Sequence, residues 1–240
     1  YLGFNMEDAE AGQYLVRQAI AHALDRQAII TYVLGDAARP ANAMLPPNHW
    51  AGDPGLSGYR HDTELASSLL KQAGFGPDNP LHLSYKTSSD PFRLRLATII
   101  QQQLAEAGIT VELRSYDWGT FYGDIKAGRF QLYSLMGVGI KLPDIFRYVF
   151  HSSAIPLDGV NRGRFADVKA DRLIESAETR STIAGQADDY RQLQAYLLQQ
   201  LPYVPLWYED HVFVARREIS GYQVAADGDY DGLKLVNYQR

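Results

Sequence analysis

Three short stretches of the chain carry groups that could grip a small molecule. The first is Lys86-Thr87-Ser88-Ser89-Asp90, the second Tyr116-Asp117-Trp118, and the third Met136-Gly137-Val138-Gly139. Together they offer hydroxyls, carboxylates, an indole and backbone that glycine leaves open to close approach. The first two stretches lead into helices, whose first N–H groups attract anions. Asp90 and Asp117 equally suit the plainer task of capping those helices. Trp118 fits a packed seam as well as a ligand platform. Gly137-x-Gly139 lacks the third glycine of a dinucleotide fingerprint and follows a third strand instead of a first, so it reads either as ligand-approaching backbone or as a tight turn.

Just past that loop stand Asp144 and Arg147. A carboxylate here can pair with a ligand amine, and a guanidinium can fork onto a ligand carboxylate. At i, i+3 on a helix the two can also pair with each other, for ~0.3 kcal/mol.

Other chemistries find little support. The six histidines, at 22, 49, 61, 82, 151 and 211, show no metal-ligand spacing. There is no Gly-x-Ser-x-Gly elbow and no phosphate-binding Gly-x-x-x-x-Gly-Lys loop. The carboxylate pairs Asp188-Asp189 and Asp229/Asp231 fall in segments that read as exposed, a poor setting for acid–base work. Cysteine is absent, which excludes disulfides, thiolate metal sites and cysteine nucleophiles. No cofactor and no metal are expected. A net charge of −5 gives no basic field for nucleic acid. No apolar run approaches the ~20 residues that span a bilayer.

The elements that must position these groups follow from periodicity. Leu81–Tyr85, Thr110–Tyr116 and Phe130–Met136 alternate as strands. Between them, helices run from Asp90-Pro91 to Ala107 and from Asp117 to Ala127, ended by Gly108 and Gly128. This βαβαβ order predicts parallel strands with right-handed crossovers, and ligands in such sheets lie beyond the carboxyl ends of the strands. One apolar stripe spans about 12–34, and a second helix runs from Asp62 to Ala73. The Pro- and Gly-rich stretch 36–59 reads as a connection without regular elements. Helices follow near 143–150, 168–178 and 183–200, then extended segments at 203–208 and 211–215. Tyr1-Leu2-Gly3-Phe4-Asn5 reads as an edge strand, as though the chain were part of something longer.

Several segments together resemble a known family. Tyr1–Asn5, Val16-Arg17-Gln18-Ala19-Ile20 and Ala23-Leu24-Asp25-Arg26 resemble the "F-N … V-R-x-A-I … A-L-D-R" signature of the family 5 extracellular solute-binding proteins, the dipeptide, oligopeptide and nickel group. The Gly35–Pro46 loop, the Ala66–Gly74 helix, Gln101–Val111 and Gly128-Arg129-Phe130-Gln131 are similar to later segments of that family, with Gln131 in place of the usual acid. Asn161–Phe165 before Ala170–Ala177, and Pro202–Leu206, continue the likeness.

The resemblance implies an α/β, type II periplasmic binding protein-like lobe with a doubly wound, largely parallel sheet and flanking helices. It implies that 1–240 is the C-terminal lobe of a two-lobed protein, with 1–8 and 203–215 as hinge-spanning strands and the N-terminal lobe absent. It also implies the substrate-binding component of an ABC importer, a monomer in the periplasm or anchored outside the membrane. Its partners would be a peptide or small-molecule ligand, the missing lobe and a membrane permease. In peptide-binding members an Asp after the third strand pairs with the peptide's amino terminus. Asp144 is the matching position, within Leu142-Pro143-Asp144, where the usual Asp-Pro order is reversed and Lys141 adds a positive charge. The expected ligand contacts are Ser88, Trp118, Gly137, Val138, Gly139, Asp144, Arg147 and Asn161, the last also suited to holding its own loop. No catalytic residue is expected. The rival readings are an α/β hydrolase or transferase using the same strand ends, and the sensing domain of a transcriptional regulator.

Overall fold

A computed structural model describes all residues except Val138, Leu157, Asp158, Ala226 and Arg240. The strands are β1 (Leu2–Phe4), β2 (Ala38–Pro40), β3 (Leu81–Ser88), β4 (Ile109–Tyr116), β5 (Leu132–Ser134), β6 (Tyr203–Val204), β7 (Trp207–Glu209), β8 (Ile219–Ser220) and β9 (Asn237–Tyr238). The helices are α1 (Tyr14–Ala23), α2 (Arg26–Tyr32), α3 (Thr63–Gln72), α4 (Pro91–Glu106), α5 (Trp118–Lys126), α6 (Ile145–Phe150), α7 (Val168–Thr179) and α8 (Ile183–Gln200).

The main sheet has the order β4-β3-β5-β1-β6. β3 pairs in parallel with both β4 and β5, while β1 runs antiparallel to β5 and β6. The sheet is therefore mixed and largely parallel. The first strand is interior and not an edge, because its neighbours on both sides are supplied from far along the chain. β2 and β7 form a separate ribbon, so the 36–59 stretch does contain a strand. Residues 211–216 pair with no strand.

Strand alternation sorts the side chains onto two faces. Leu2, Phe4, Leu81, Leu83, Tyr85, Ile109, Val111, Leu132 and Val204 build one core with α1, α3 and α4. On the opposite face Tyr133 packs with Phe121 and Ile125 of α5, while Tyr203 joins a second core of α6, α7 and α8. Gly3 lies between Tyr133 and Tyr203 in register. A Cβ there would sit 2.4 Å from the Tyr133 ring. The Tyr1 ring stands edge-on to both tyrosines, with centroids 5.8 Å apart in each case.

The 12–34 stripe is two helices. Leu24 leaves helical geometry, and the Asp25 carboxylate caps α2 by accepting from Ala28 N at 2.9 Å. Gln103 of α4 grips the break from both sides: Oε1 accepts from Asp25 N at 3.1 Å, and Nε2 donates to Asp25 O at 3.3 Å. Asp is a helix interrupter for this reason, offering the backbone a local alternative partner. The apolar stripe continues through the break, so periodicity does not reveal it.

The signature arginines act as carbonyl clamps. Arg17 is buried and donates to Gly12 O and to Gln200 O at the end of α8, a favourable place for a cation. Burial lowers its guanidinium to about 10. Arg26 donates to Ala41 O, to Pro205 O between β6 and β7 at 3.0 Å, and to Tyr59 O at 2.9 Å.

Candidate functional site

β4 lies on one side of β3 and β5 on the other, with α4 and α5 on opposite faces. The winding direction therefore reverses at β3. Ligands of open α/β sheets bind at such a reversal, outside the carboxyl ends of the strands. Here those ends are Ser88, Tyr116 and Ser134.

The rim is tied together below its surface. Ser89 N donates to Tyr116 O at 2.7 Å, and Ser115 Oγ donates to Ser88 O at 3.3 Å. Tyr85 Oη donates to Ser134 Oγ at 2.8 Å, joining β3 to β5 under the crevice. Burial pushes that phenol up to about 12, so it stays a neutral donor. Tyr1 N donates to Leu135 O at 3.0 Å, which carries the β1–β5 ladder up to the rim.

Asp90 and Asp117 cap their helices, accepting from Arg93 N at 2.9 Å and Thr120 N at 3.1 Å. The hydrogen bond from Thr120 holds Asp117 below the usual carboxylate range. Ser88 is nearly buried, at the end of the central strand. Trp118 is no seam residue. It is 59% exposed at the start of α5, with its indole stacked on Tyr122 at 5.3 Å and 17°. Behind Tyr122 stands Arg162, 5.2 Å from the ring centroid and donating to a hydroxyl of the same residue at 2.7 Å.

The loop after β5 is exposed at Met136 and Gly137. Gly139 has φ +69, a conformation that suits glycine, and a Cβ there would meet nothing within 4 Å. Val138 lies outside the described residues. The loop is anchored at Lys141, whose carbonyl lies 3.1 Å from His49 Nε2. Lys141 Nζ pairs with Asp227 at 3.0 Å and with Asp229, and these carboxylates raise its pKa. Lys141 therefore carries its own counter-ions.

Asp144 and Arg147 do not pair with each other through their side chains. Arg147 forks onto Glu178 of α7, with Nε at 2.8 Å and Nη2 at 2.5 Å from its oxygens. The guanidinium expected to meet a ligand carboxylate thus already holds one, because folding brings α7 alongside α6. Asp144 is exposed at the start of α6 and makes no capping hydrogen bond with its side chain. Asn161 is buried away from the rim. Its amide donates to His151 O at 3.1 Å and Phe165 O at 2.7 Å and accepts from Phe165 N at 3.1 Å, so every contact it makes secures its own loop.

The structure therefore places Ser88 at the carboxyl end of β3, Trp118 at the start of the helix after β4, and Gly137, Gly139 and Asp144 in the segment after β5, and turns Arg147 and Asn161 to internal contacts. Sequence reasoning passed over Arg93 and Glu209. Arg93, in the first turn of α4, lies 3.6 Å from Glu209 of β7. The only signal was a cation three residues beyond an Asp-Pro helix start, and its partner is remote in the chain.

A concavity of about 490 Å³ opens on the α5 face, lined among others by His82, Ser84, Lys86, Arg114, Arg129 and Gln131. Its cations are spent locally. Lys86 and Arg129 share Asp124, and Arg114 holds Glu112 at 2.7 Å. Gln131 accepts from Ser84 N at 2.8 Å, closing the β3 edge where β5 has not yet begun. Its Nε2 donates to Asp8 at 3.2 Å, which the acid usual at this position could not do.

The profile described as "Bacterial extracellular solute-binding proteins, family 5 Middle" matches residues 1–154. Di/tripeptide-binding protein 2 of Pseudomonas aeruginosa is 33% identical over 92% of the chain and 42% of its own length. The Helicobacter pylori periplasmic binding protein DppA, solved with the peptide STSA, superposes with a TM-score of 0.85 at 25% identity, over 100% of this chain and 47% of that one. The oligopeptide-binding protein AppA of Bacillus subtilis, solved with a nonapeptide, shares the fold with a TM-score of 0.87 at 23% identity, over 100% and 50%. The fold is that of type II periplasmic binding proteins. The chain spans less than half the length of the curated relatives it matches. The chain belongs to the family 5 bacterial extracellular solute-binding proteins.

Proposed function

We propose that this chain serves as one lobe of the substrate-binding component of an ABC importer. It captures a peptide or related small organic solute and delivers it to a membrane permease. The observation that carries this reading is the winding reversal at β3, which sets the carboxyl ends of β3 and β5 side by side, where ligands of open α/β sheets bind, in a chain similar to peptide-binding proteins. Capture proceeds by lobe closure. A ligand touching both lobes stabilises the closed form by its differential affinity, and the closed form docks on the permease. Binding and release need no covalent step, so the protein works without catalysis.

Segments 1–8 and 203–215 are the proposed crossings to a second lobe. In support, β7 leaves the main sheet past the rim to pair with β2, and Val212 and Val214 beyond it are 76% and 86% exposed. Ser88, Trp118, the Gly137–Gly139 backbone and Asp144 are the proposed contacts from this lobe. The working protein is a monomer in the periplasm, or held outside the membrane by an anchor, and binds no nucleic acid.

The test is mass spectrometry of solute released from the full-length gene product purified from its host, with calorimetry against di- and tripeptides. A peptide released and rebound supports the reading. A protein that releases no solute and binds none of the peptides sinks it.

A further inference from the structure

Residues 216–240 stand apart from the rest of the chain. They hold β8, β9 and a short 3-10 turn at Asp231–Leu235. Among the described residues only Gly232 is buried there, and no residue beyond Trp207 joins any of the three apolar cores. Val224, Tyr230, Leu233, Leu235 and Tyr238 are 43% to 76% exposed. A ribbon of two-residue strands does not hold such a unit together on its own. It needs a surface to pack on, and the cores of this chain do not supply one.

Its attachment is narrow. Toward 1–215 the described residues show one polar tie: Lys141 Nζ pairs with Asp227 at 3.0 Å and with Asp229. The turn itself sets both aspartates in place, Asp229 N donating to Asp227 at 3.3 Å and Asp231 N to Asp229 at 2.8 Å. Otherwise the unit leans on the residues that lead into it. Tyr222 packs on Phe213 with ring centroids 4.2 Å apart, and a Cβ on Gly228 would sit 2.7 Å from the His211 ring. Phe213 and His211 belong to 203–215, the proposed crossing to a second lobe. Lys141 belongs to the segment after β5, between the proposed contacts Gly139 and Asp144, and its carbonyl lies 3.1 Å from His49 Nε2. Two carboxylates on one ammonium make a network, which outweighs an isolated exposed pair.

We propose that 216–240 packs through its apolar residues on the second lobe and moves with it, so that Lys141 between Asp227 and Asp229 is an ionic lock between the lobes, made on closure. The inference rests on the two-lobed reading and names the contact that holds the closed form. The surface that covers the apolar residues is the remainder of the same gene product: the chain spans 42% of a relative's length, and the crossing segment runs directly into the unit. A contact present only in the closed form raises apparent affinity without touching the solute.

The experiment uses the full-length gene product in four forms: wild type, Lys141→Gln, Asp227→Asn with Asp229→Asn, and all three substitutions together. Calorimetry with Ala-Ala-Ala at about 0.01 M and about 1 M salt is paired with amide exchange across 216–240. At low salt Lys141→Gln and the aspartate variant should each bind roughly 3- to 10-fold more weakly than wild type. The triple variant should be no weaker than either, because all three remove one lock. High salt should shrink the gap. Exchange across 216–240 should stay slow in Lys141→Gln, since the second lobe holds the unit. Unchanged affinity, a loss confined to Lys141→Gln, additive losses, or a unit released to fast exchange in Lys141→Gln each overturns the proposal. If the wild type does not bind Ala-Ala-Ala, the peptide reading falls and exchange decides for the lock: protection kept in Lys141→Gln sustains it, and protection lost overturns it. Matching thermal midpoints establish that the variants are folded.

Discussion

The Lys86 ammonium sits 2.5 Å from the Asp124 carboxylate on the face of the sheet that α5 covers, with both side chains largely withdrawn from water. Arg129 braces the same carboxylate at 2.7 Å. Lys86 comes from the central strand and Asp124 from α5, so the pair fixes the helix against the strands whose ends form the rim.

That geometry sets an acid sensitivity. The hydrogen bond from Lys86, helped by Arg129, holds Asp124 below the usual carboxylate range. A depressed folded pKa means that its stabilisation is complete above the unfolded value of ~3.9 and is lost as pH falls through the folded value. Asp124→Asn leaves Lys86 buried without its partner and should cost about 3 kcal/mol at neutral pH. Urea unfolding across pH 2–7 should find the gap between wild type and variant closing below about pH 4. A gap independent of pH would contradict the ion-pair account.

Gly3 tests the packing beneath the rim. A methyl at this position meets the Tyr133 ring at 2.4 Å, within a cluster that also holds Tyr1 and Tyr203. Overpacking of this kind costs about 1–3 kcal/mol. Gly3→Ala should lower the unfolding free energy by that amount, and Gly3→Ala with Tyr133→Leu should recover much of it. Additive losses in the double variant would speak against the clash.

Asn161 separates a loop-holding role from ligand contact. Three hydrogen bonds converge on a side chain that is 1% exposed. Asn161→Ala leaves buried backbone groups unpaired, and each such loss costs about 1–3 kcal/mol. The expected result is a protein with a lower thermal midpoint and an unchanged dissociation constant below that midpoint. A stable variant with weakened binding would return Asn161 to the site.

Asp144 and Arg147 should part company in binding assays. Asp144 is exposed and its carboxylate is not used as a cap, whereas Arg147 is held by Glu178. Asp144→Asn should weaken a ligand with a free ammonium by about 1 kcal/mol, as for an exposed pair, and leave its N-acetylated form untouched. Arg147→Gln should change affinity little and loosen α6 from α7, detectable as faster amide exchange across 145–150. The opposite assignment of effects would reverse the two roles.

The sequence alone determined the βαβαβ unit, because its information is local. Asp90-Pro91 and Asp117 declare helix starts, glycines at 108 and 128 declare stops, and alternation marks the strands. It also placed Ser88, Trp118 and the Gly137–Gly139 loop after strand ends, since parallel topology dictates which end faces the crevice. Only the tertiary structure decided what lies beside what. β1 is interior because β6, about 200 residues later, closes its open edge. Arg147 is spent because α7 supplies Glu178, and Lys141 because the chain returns with Asp227 and Asp229. Periodicity reports which face of an element is apolar. The partner of a charge is set by three-dimensional packing between segments far apart in the chain, and that decides whether a side chain is available to a ligand.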